Sequence, residues 1–403
     1  MKILVVNAGS SSLKFSVFEG LDLTLISNGV VDDIGIPGGR ITVKVYRGTK
    51  FEKHVEIGNT VDHHHAFIKI VKQLKDQYIR VIQDVSEIIA VGHRVVHGGE
   101  YYSDPQRITI ELIKRVKKMK TSGPLHNQKN LTGIEICKRM FPKALQVAVF
   151  DTSFHQTMPP RAFRYAIPNR FYEKEGIRVY GIHGTSHKYV AEAAAAYLEK
   201  PLTETNLITV HLGNGCSMAA IQNGICIDTS VGMSPMPGLM MGTRSGDIDP
   251  SIIFYLYRNC RLKIEEIEYM LNNESGLKGL TGMNDLKDIL NLMEKGNENA
   301  TLAMEMYTYR IKKYIGAYLA VIGRTDAIVF TAGVGENSWF VRSRAVEGLE
   351  HLGIILDDDK NKSHEKGICM LQSDASKVKI LRVPTNEELE IARSTIEVMN
   401  RMQ

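Results

Sequence analysis

The sequence predicts an α/β fold built twice, and three observations carry that prediction. Apolar strand-like runs alternate with helical stretches, glycine-containing loops follow three of the runs, and one strand–loop–strand unit recurs near mid-chain. The first copy opens with Lys2–Val6, passes through a loop at Asn7–Ser12 and returns as Lys14–Phe18. Two extended apolar runs around a turn of small residues read as a hairpin. The second copy is Leu207–Leu212, a loop at Gly213–Ser217, then Met218–Gln222, an Asn223–Gly224 turn and Ile225–Asp228. Such self-similarity predicts a duplicated domain with a cleft between the halves. Helices read from periodicity and caps: His187–Leu198 behind Thr185 and Ser186, about Ala300 to Ile322, and Glu387 to about Met399. The expected division is 1–150 with 386–403, and 151–385.

Bulk properties narrow the class. At 403 residues the chain exceeds the size at which one core stops growing, so two domains are expected. Runs such as Leu207–Val210 and Ala327–Val329 suit buried strands and are far too short to span a bilayer. Met1–Val6 has no basic flank or small-residue cleavage site, which argues against a signal peptide. Five cysteines, an odd number without CxxC spacing, argue against a disulfide framework or a zinc site and fit a reducing cytosol. The basic run Lys114–Lys120 has no interleaved aromatic residues, so it reads as a solvated helix face rather than a nucleic-acid patch. His63–His65 reads as a solvated helix start, because adjacent histidines point in different directions. Neither a membrane nor a nucleic acid is an expected partner.

Three glycine loops carry the chemistry. The run NAGSSSLK, Asn7 to Lys14, offers a tight turn, backbone N–H groups for an anion nest, and further donors in Ser12 and Lys14. Phosphate binding and a plain structural turn both remain open on that run alone. It lacks the strand-to-helix GxxxxGK[ST] pattern of a Walker A loop. HLGNG at His211–Gly215 and GVGEN at Gly333–Asn337 also follow apolar strands, and three such loops favour a nucleotide cleft. Cations stand beside glycines: Arg94 with His93 and His97 just after a strand at Ile88–Val91, His183 and His187 before a helix, and Arg244 in MGTRSGDIDP. A transferring phosphoryl group spreads charge over its equatorial oxygens, and an arginine fork grips such oxygens or a carboxylate. Asp151 and Glu387 each end an apolar run, where a carboxylate suits metal ligation or positioning. For Glu387, a cap on the last helix from Thr385 or Asn386 is the competing structural reading.

These motifs resemble those of the acetokinase family of the acetate-and-sugar-kinase/Hsp70/actin superfamily. The resemblance rests on VVNAGSSSLKFSVF, VGHRVVHGG, VFDTSFHQTMP, YGIHGTSHKYV, HLGNGCS, MGTRSGDIDP, TAGVGEN and VPTNEELEIA, in order from Lys2 to about Arg393. It implies duplicated actin-like (ribonuclease H-like) domains with a nucleotide cleft between them, a cytoplasmic homodimer, and phosphoryl transfer from ATP to acetate. Motif by motif, it implies that Asn7 and Glu387 hold Mg²⁺, with Mn²⁺ as a substitute, and that Ser12 and Lys14 contact ATP. Arg94 and Arg244 would flank carboxylate and phosphoryl, His183 would stabilise the transition state, and His126 would be a further active-site histidine. Val96, Leu125, Ile182 and Pro235 would shape the acyl pocket. The nucleotide would lie against His211, Leu212, Gly213, Asn214, Gly215, Asp285, Leu286, Lys287, Gly333, Val334, Gly335, Glu336 and Asn337. Acetate is already ionised at neutral pH, so Asp151 is expected to orient Arg94 or the metal, and transfer to be direct and in line.

Three departures from the family pattern bear on specificity. Ile182 replaces a usual Phe, Met233, Met236 and Pro237 stand in the acyl-pocket segment, and Leu286-Lys287 replaces a better stacking pair. The first two make propionate the alternative substrate, and the third relaxes the expected base selectivity. A nucleotide switch without catalysis is the alternative from another class, but it has no use for Arg94, His183 and Arg244 together.

Overall fold

The computed structural model describes residues 1–8, 12–35, 39–47, 50–57, 60–119 and 124–402, and the side chains of 47, 51, 57, 124–126 and 128 fall outside the description. The chain forms two compact units, Met1–Ser153 with Asn386–Gln403, and Phe154–Thr385. Asp151 therefore belongs with the first unit, one residue beyond the strand that ends at Phe150.

Among the described residues the first unit holds eight strands: β1 (Lys2–Ala8), β2 (Leu13–Glu19), β3 (Thr24–Asp32), β4 (Arg40–Arg47), β5 (Lys50–Ile57), β6 (Ile88–Val95), β7 (Gln106–Arg107) and β8 (Leu145–Phe150). Their order is β5-β4-β3-β2-β1-β6-β8-β7. β1 runs antiparallel to β2 and parallel to β6, and β6 runs parallel to β8. β1 is apolar on both faces because both are covered. Leu4 and Val6 join Phe67 and Ile70 of the helix His63–Lys75, while Ile3 and Val5 join Ile391 and Ala392 of the helix Glu387–Asn400. Gly92 on β6 permits that last contact: a Cβ built there would stand 2.4 Å from Thr395 Oγ1 and 2.8 Å from Ile391 Cγ2.

The second unit repeats the plan with β9 (Leu207–Leu212), β10 (Cys216–Gln222), β11 (Ile225–Thr229), β12 (Ala327–Thr331), β13 (Cys369–Met370) and β14 (Lys379–Arg382), in the order β11-β10-β9-β12-β14-β13. β9 is antiparallel to β10 and parallel to β12, which is parallel to β14. The long helix Glu298–Ile322 packs Met304, Tyr307 and Ile311 on one face, and Gly184–Tyr197 packs Val190 and Ala194 on the other. The core order β3-β2-β1-β6-β8 and its counterpart β11-β10-β9-β12-β14 are one topology used twice, the duplicated actin-like α/β fold.

Several local expectations need correction. β6 does not stop at Val91 but runs to Val95, so Arg94 stands on a strand end rather than in a loop. The segment Gly333–Asn337 is not a loop but lies in a short helix, Ala332–Asn337, entered through Ala332 at φ +65°. Thr185 and Ser186 do not cap their helix; they lie inside it, and His183 occupies the cap position. The histidine run begins a helix capped by Asp62, and Lys114–Lys118 lies on the helix Ile110–Lys118, with Lys120 outside the described residues. All five cysteines are free, and no helix among the described residues is long and apolar enough to cross a membrane.

Candidate active site

In the first unit the strand ends of β1 and β6 and the start of the last helix bring Asn7, Arg94, Asp151 and Glu387 into one cluster. Asp151 is almost wholly buried and accepts a hydrogen bond and an ion pair from Arg94 Nη2. Arg94 Nη1 donates to Asn7 Oδ1 at 3.3 Å. Burial works against the guanidinium charge, but the Asp151 and Glu387 carboxylates outweigh it and raise the Arg94 pKa. Burial likewise pushes Glu387 up to about 7; Arg94 pulls it down, while Asp151 and Glu388 push it further. A carboxylate held uncomfortably beside two others is a place where a cation is welcome. The cap on this helix is Asn386, whose Oδ1 accepts from Leu389 N at 3.0 Å, so Glu387 is left available for other work.

Val96, expected in the acyl pocket, is held by the helix Pro124–Met140, for which the sequence carried no signal. Asn127 bonds both the N–H and the C=O of His97, each at 3.2 Å, and Asn130 links Val96 N at 3.1 Å to Ala8 O at 3.0 Å. Those two amides tie the helix to the end of β6, next to Val96. The side chains of Leu125 and His126, on the first turn of that helix, lie outside the described residues, as do Gly9–Ser11. Ser12 is half-buried, and Lys14 is exposed, opposite Asn7 in the β1–β2 register. His93 and His97 are structural: both are buried and neutral, His93 bonding Gln146 at 2.8 Å and His97 accepting from Gly99 N at 2.9 Å.

In the second unit the turn Gly213–Gly215 between β9 and β10 does two things at once. Gly213 and Asn214 line a cavity of about 710 Å³ with Asp285, Leu286, Lys287, Gly333, Val334 and Asn337, and with Tyr307 and Phe340 on its walls. Asp285 caps its helix through Lys287 N at 2.8 Å, so this edge of the cavity is rigidly placed. On the turn's other side, a Cβ built on Gly215 would stand 3.5 Å from both Arg244 Nη1 and His183 Nε2. Besides Gly215, four more of the residues expected against a nucleotide do not line the cavity. His211 stacks on His183 with ring centroids 4.3 Å apart, Leu212 is core, and Gly335 packs against Phe330 and Val210. Glu336 is turned to Thr385 N at 3.1 Å, and burial raises its pKa.

His183 is held in a left-handed conformation, φ +57° and ψ +24°, which a non-glycine residue adopts only when its surroundings enforce it. Gly181 before it has φ +76° and no room for a side chain, since a Cβ would stand 2.5 Å from His155 Cδ2. Tyr180 N and Gly181 N both bond Gly232 O, and the Ile182 carbonyl accepts from His155 Nε2 at 2.9 Å, which sets buried Ile182 beside the Val231–Leu239 segment. Tyr165 OH accepts from Met233 N at 2.9 Å, and Arg244 Nη1 donates to Pro235 O at 3.4 Å. Burial lowers the Arg244 pKa. Sequence reasoning passed over Ser217, Thr209 and Tyr165; Ser217 was within reach, as the last residue of HLGNGCS.

Comparison with known proteins follows the same lines. The sequence pattern of the Acetokinase family matches residues 2–393. The acetate kinase of Halothermothrix orenii is 49% identical over 99% of this chain and 100% of its own length. The solved structure of Porphyromonas gingivalis acetate kinase superposes with a TM-score of 0.91 at 42% identity, covering 99% of both chains. That of a propionate kinase from Francisella tularensis does so at 0.91 and 39%, covering 98% of this chain and 99% of its own.

Proposed function

Because this chain belongs to the acetokinase family, we propose that it is an acetate kinase, transferring the γ-phosphoryl group of ATP reversibly to acetate. One observation carries the reading beyond family membership: a single turn, Gly213–Gly215, borders the 710 Å³ cavity on one side and meets Arg244 and His183 on the other. A nucleotide in that cavity runs its phosphates along the turn toward the Arg244 guanidinium and the His183 imidazole, which is the placement phosphoryl transfer asks for. A carboxylate oxygen attacks the γ-phosphorus as the bond to the β–γ bridging oxygen breaks, leaving ADP and acetyl phosphate with no phosphoenzyme. Arg94, steadied by Asp151 and Asn7, supplies a fork for carboxylate or phosphoryl oxygens. Arg244 and His183 take up charge on the equatorial oxygens.

Asn7 and Glu387 suit Mg²⁺, which prefers one or two protein oxygen ligands and completes its shell with phosphate and water. The raised Glu387 pKa beside Asp151 fits that assignment. When bound, the cation neutralises phosphate charge and aligns the leaving group. We place the reaction in the cytoplasm, where ATP is supplied and the free cysteines stay reduced. The active form in this reading is a homodimer, supported by an apolar helix, Ser251–Arg258, whose side chains are all half-buried or exposed within its own chain.

The decisive measurement is kcat/KM for formate, acetate, propionate and butyrate with excess MgATP. Acetate is expected to lead propionate by about tenfold or more, the range one methylene commands in an apolar pocket. Propionate at parity or ahead would mean that Ile182 and the Met233–Pro237 segment have reshaped the pocket. No turnover with any of the four acids would overturn the enzyme reading.

A further inference from the structure

We propose that Ser217 is a positioning residue which, through His187 and Thr209, fixes the tautomer of His183 and so presents Nε2 to the transferring phosphoryl group. The inference rests on the proposed reaction for its purpose, though not for its geometry. His183 Nδ1 lies 2.8 Å from Ser217 Oγ, and the same oxygen lies 2.8 Å from His187 Nε2. His187 Nδ1 lies 2.7 Å from Thr209 Oγ1, which in turn reaches the Ala219 carbonyl oxygen at 3.5 Å. Ser217, His187 and Thr209 are fully buried, out of reach of bulk solvent.

The donors along this chain can be assigned from its end. We take the Thr209 hydroxyl to donate to the Ala219 carbonyl, a long contact at 3.5 Å to a group that only accepts, and so to accept from His187 Nδ1–H. His187 is held neutral: burial depresses its pKa well below the usual value, and His155 and His211 depress it further. A neutral imidazole protonated at Nδ1 must accept at Nε2, so Ser217 donates there. A hydroxyl has one proton, and having given it to His187, Ser217 accepts from His183 Nδ1–H. The proton on Nδ1 is therefore present whether His183 is neutral or charged. Nε2, the nitrogen 3.5 Å from the Gly215 Cβ position and on the Arg244 side, becomes the atom that gains or loses the second proton. The reversed chain would put the sole proton of neutral His183 on Nε2 and an acceptor on Nδ1, and it would forbid the doubly protonated donor. Thr209 is what biases the direction.

Two variants and two readouts test this. Ser217→Ala removes the acceptor from His183 directly. Thr209→Val is nearly isosteric and leaves the His183 contact intact, but it strips His187 Nδ1 of its acceptor, so the chain should reverse. In each, kcat for acetate-dependent turnover is expected to fall about 10–100-fold, as for other partners that orient a functional histidine, with the KM values for acetate and ATP within about twofold. In protein labelled with ¹³C-histidine at pH 8.5, with a His183→Asn variant assigning the signal, the ring carbons of wild-type His183 should report the Nδ1–H form. Both variants should move toward Nε2–H. Wild-type His183 in the Nε2–H form, or both variants with wild-type kcat, would overturn the proposal. A wild-type protein inactive on every acid would sink the acetate kinase reading instead, and the tautomer signal would still decide this one.

Discussion

Asp151 is almost wholly buried and spends its charge on Arg94, whose other terminal nitrogen is held by Asn7. A buried pair of this kind is costly to break, because the survivor is left charged without a partner. A general base has nothing to do here, since acetate has no proton to give. Asp151→Asn should therefore lower kcat/KM by about 10–100-fold through a misplaced Arg94 while leaving the pH optimum where it was. A pH–rate profile that loses or moves its acidic limb would show instead that Asp151 handles protons. At this scale the residue types were legible in the sequence because phosphoryl and carboxylate chemistry demands arginine, histidine and carboxylate. The partners were not: Arg94 and Asp151 are 57 positions apart, and only the parallel pairing of β6 with β8, which sets Arg94 opposite Val149, brings them within reach.

Strand β6 illustrates what an element adds. Its apolar run made a strand visible, but the end was misplaced because Gly92 and two polar residues interrupt the pattern. The structure accommodates all three: Gly92 takes the last helix, His93 finds Gln146 beside β8's start, and Arg94 finds Asp151. Burying a neutral imidazole in a strand has a consequence for stability. Burial lowers the His93 pKa from 6.5 to about 4, with the Gln146 bond opposing it. As pH falls through 6.5 the unfolded chain takes up a proton that the folded strand refuses, so stability is lost between about 6.5 and 4. From pH 7.5 to 5 this one group should cost about 2 kcal/mol. His93→Phe starts from a lower stability, but its unfolding free energy should be flatter over that interval by about the same amount, measured by urea denaturation. Parallel slopes for variant and wild type would show that His93 is not the group responsible. The helix Ala332–Asn337, beside the cavity, was missed for a different reason: six residues with two glycines carry no helical period, and only the positive φ of Ala332 starts the turn.

The whole molecule repeats one topology, and that much could be read in advance because both copies begin with the same strand–turn–strand signature. What the signature cannot contain is the order of strands joined by parallel crossovers, or the surface that a second copy would cover. The helix Ser251–Arg258 is the surface we propose for a second copy. Ile252, Phe254, Tyr255 and Tyr257 are 41–62% exposed, and an eight-residue helix has too little intrinsic stability to hold such a face against water unaided. Leu302, Met306 and Tyr309 form a second exposed stripe at helical spacing on Glu298–Ile322. The core-facing side of that same helix carries Tyr307, on the wall of the 710 Å³ cavity, and Tyr314, whose hydroxyl donates to Asp247 at 2.7 Å in the Arg244 loop. Covering these faces with a second copy would thus steady the elements that place Arg244. Light scattering coupled to size exclusion should give twice the chain mass for the wild type. Phe254→Asp with Tyr257→Asp should give monomer, with a lower melting temperature and a kcat reduced through the lost pairing, since neither residue lines the cavity. A wild-type monomer at micromolar concentration, or a double variant that remains dimeric, would place the second copy elsewhere or remove it.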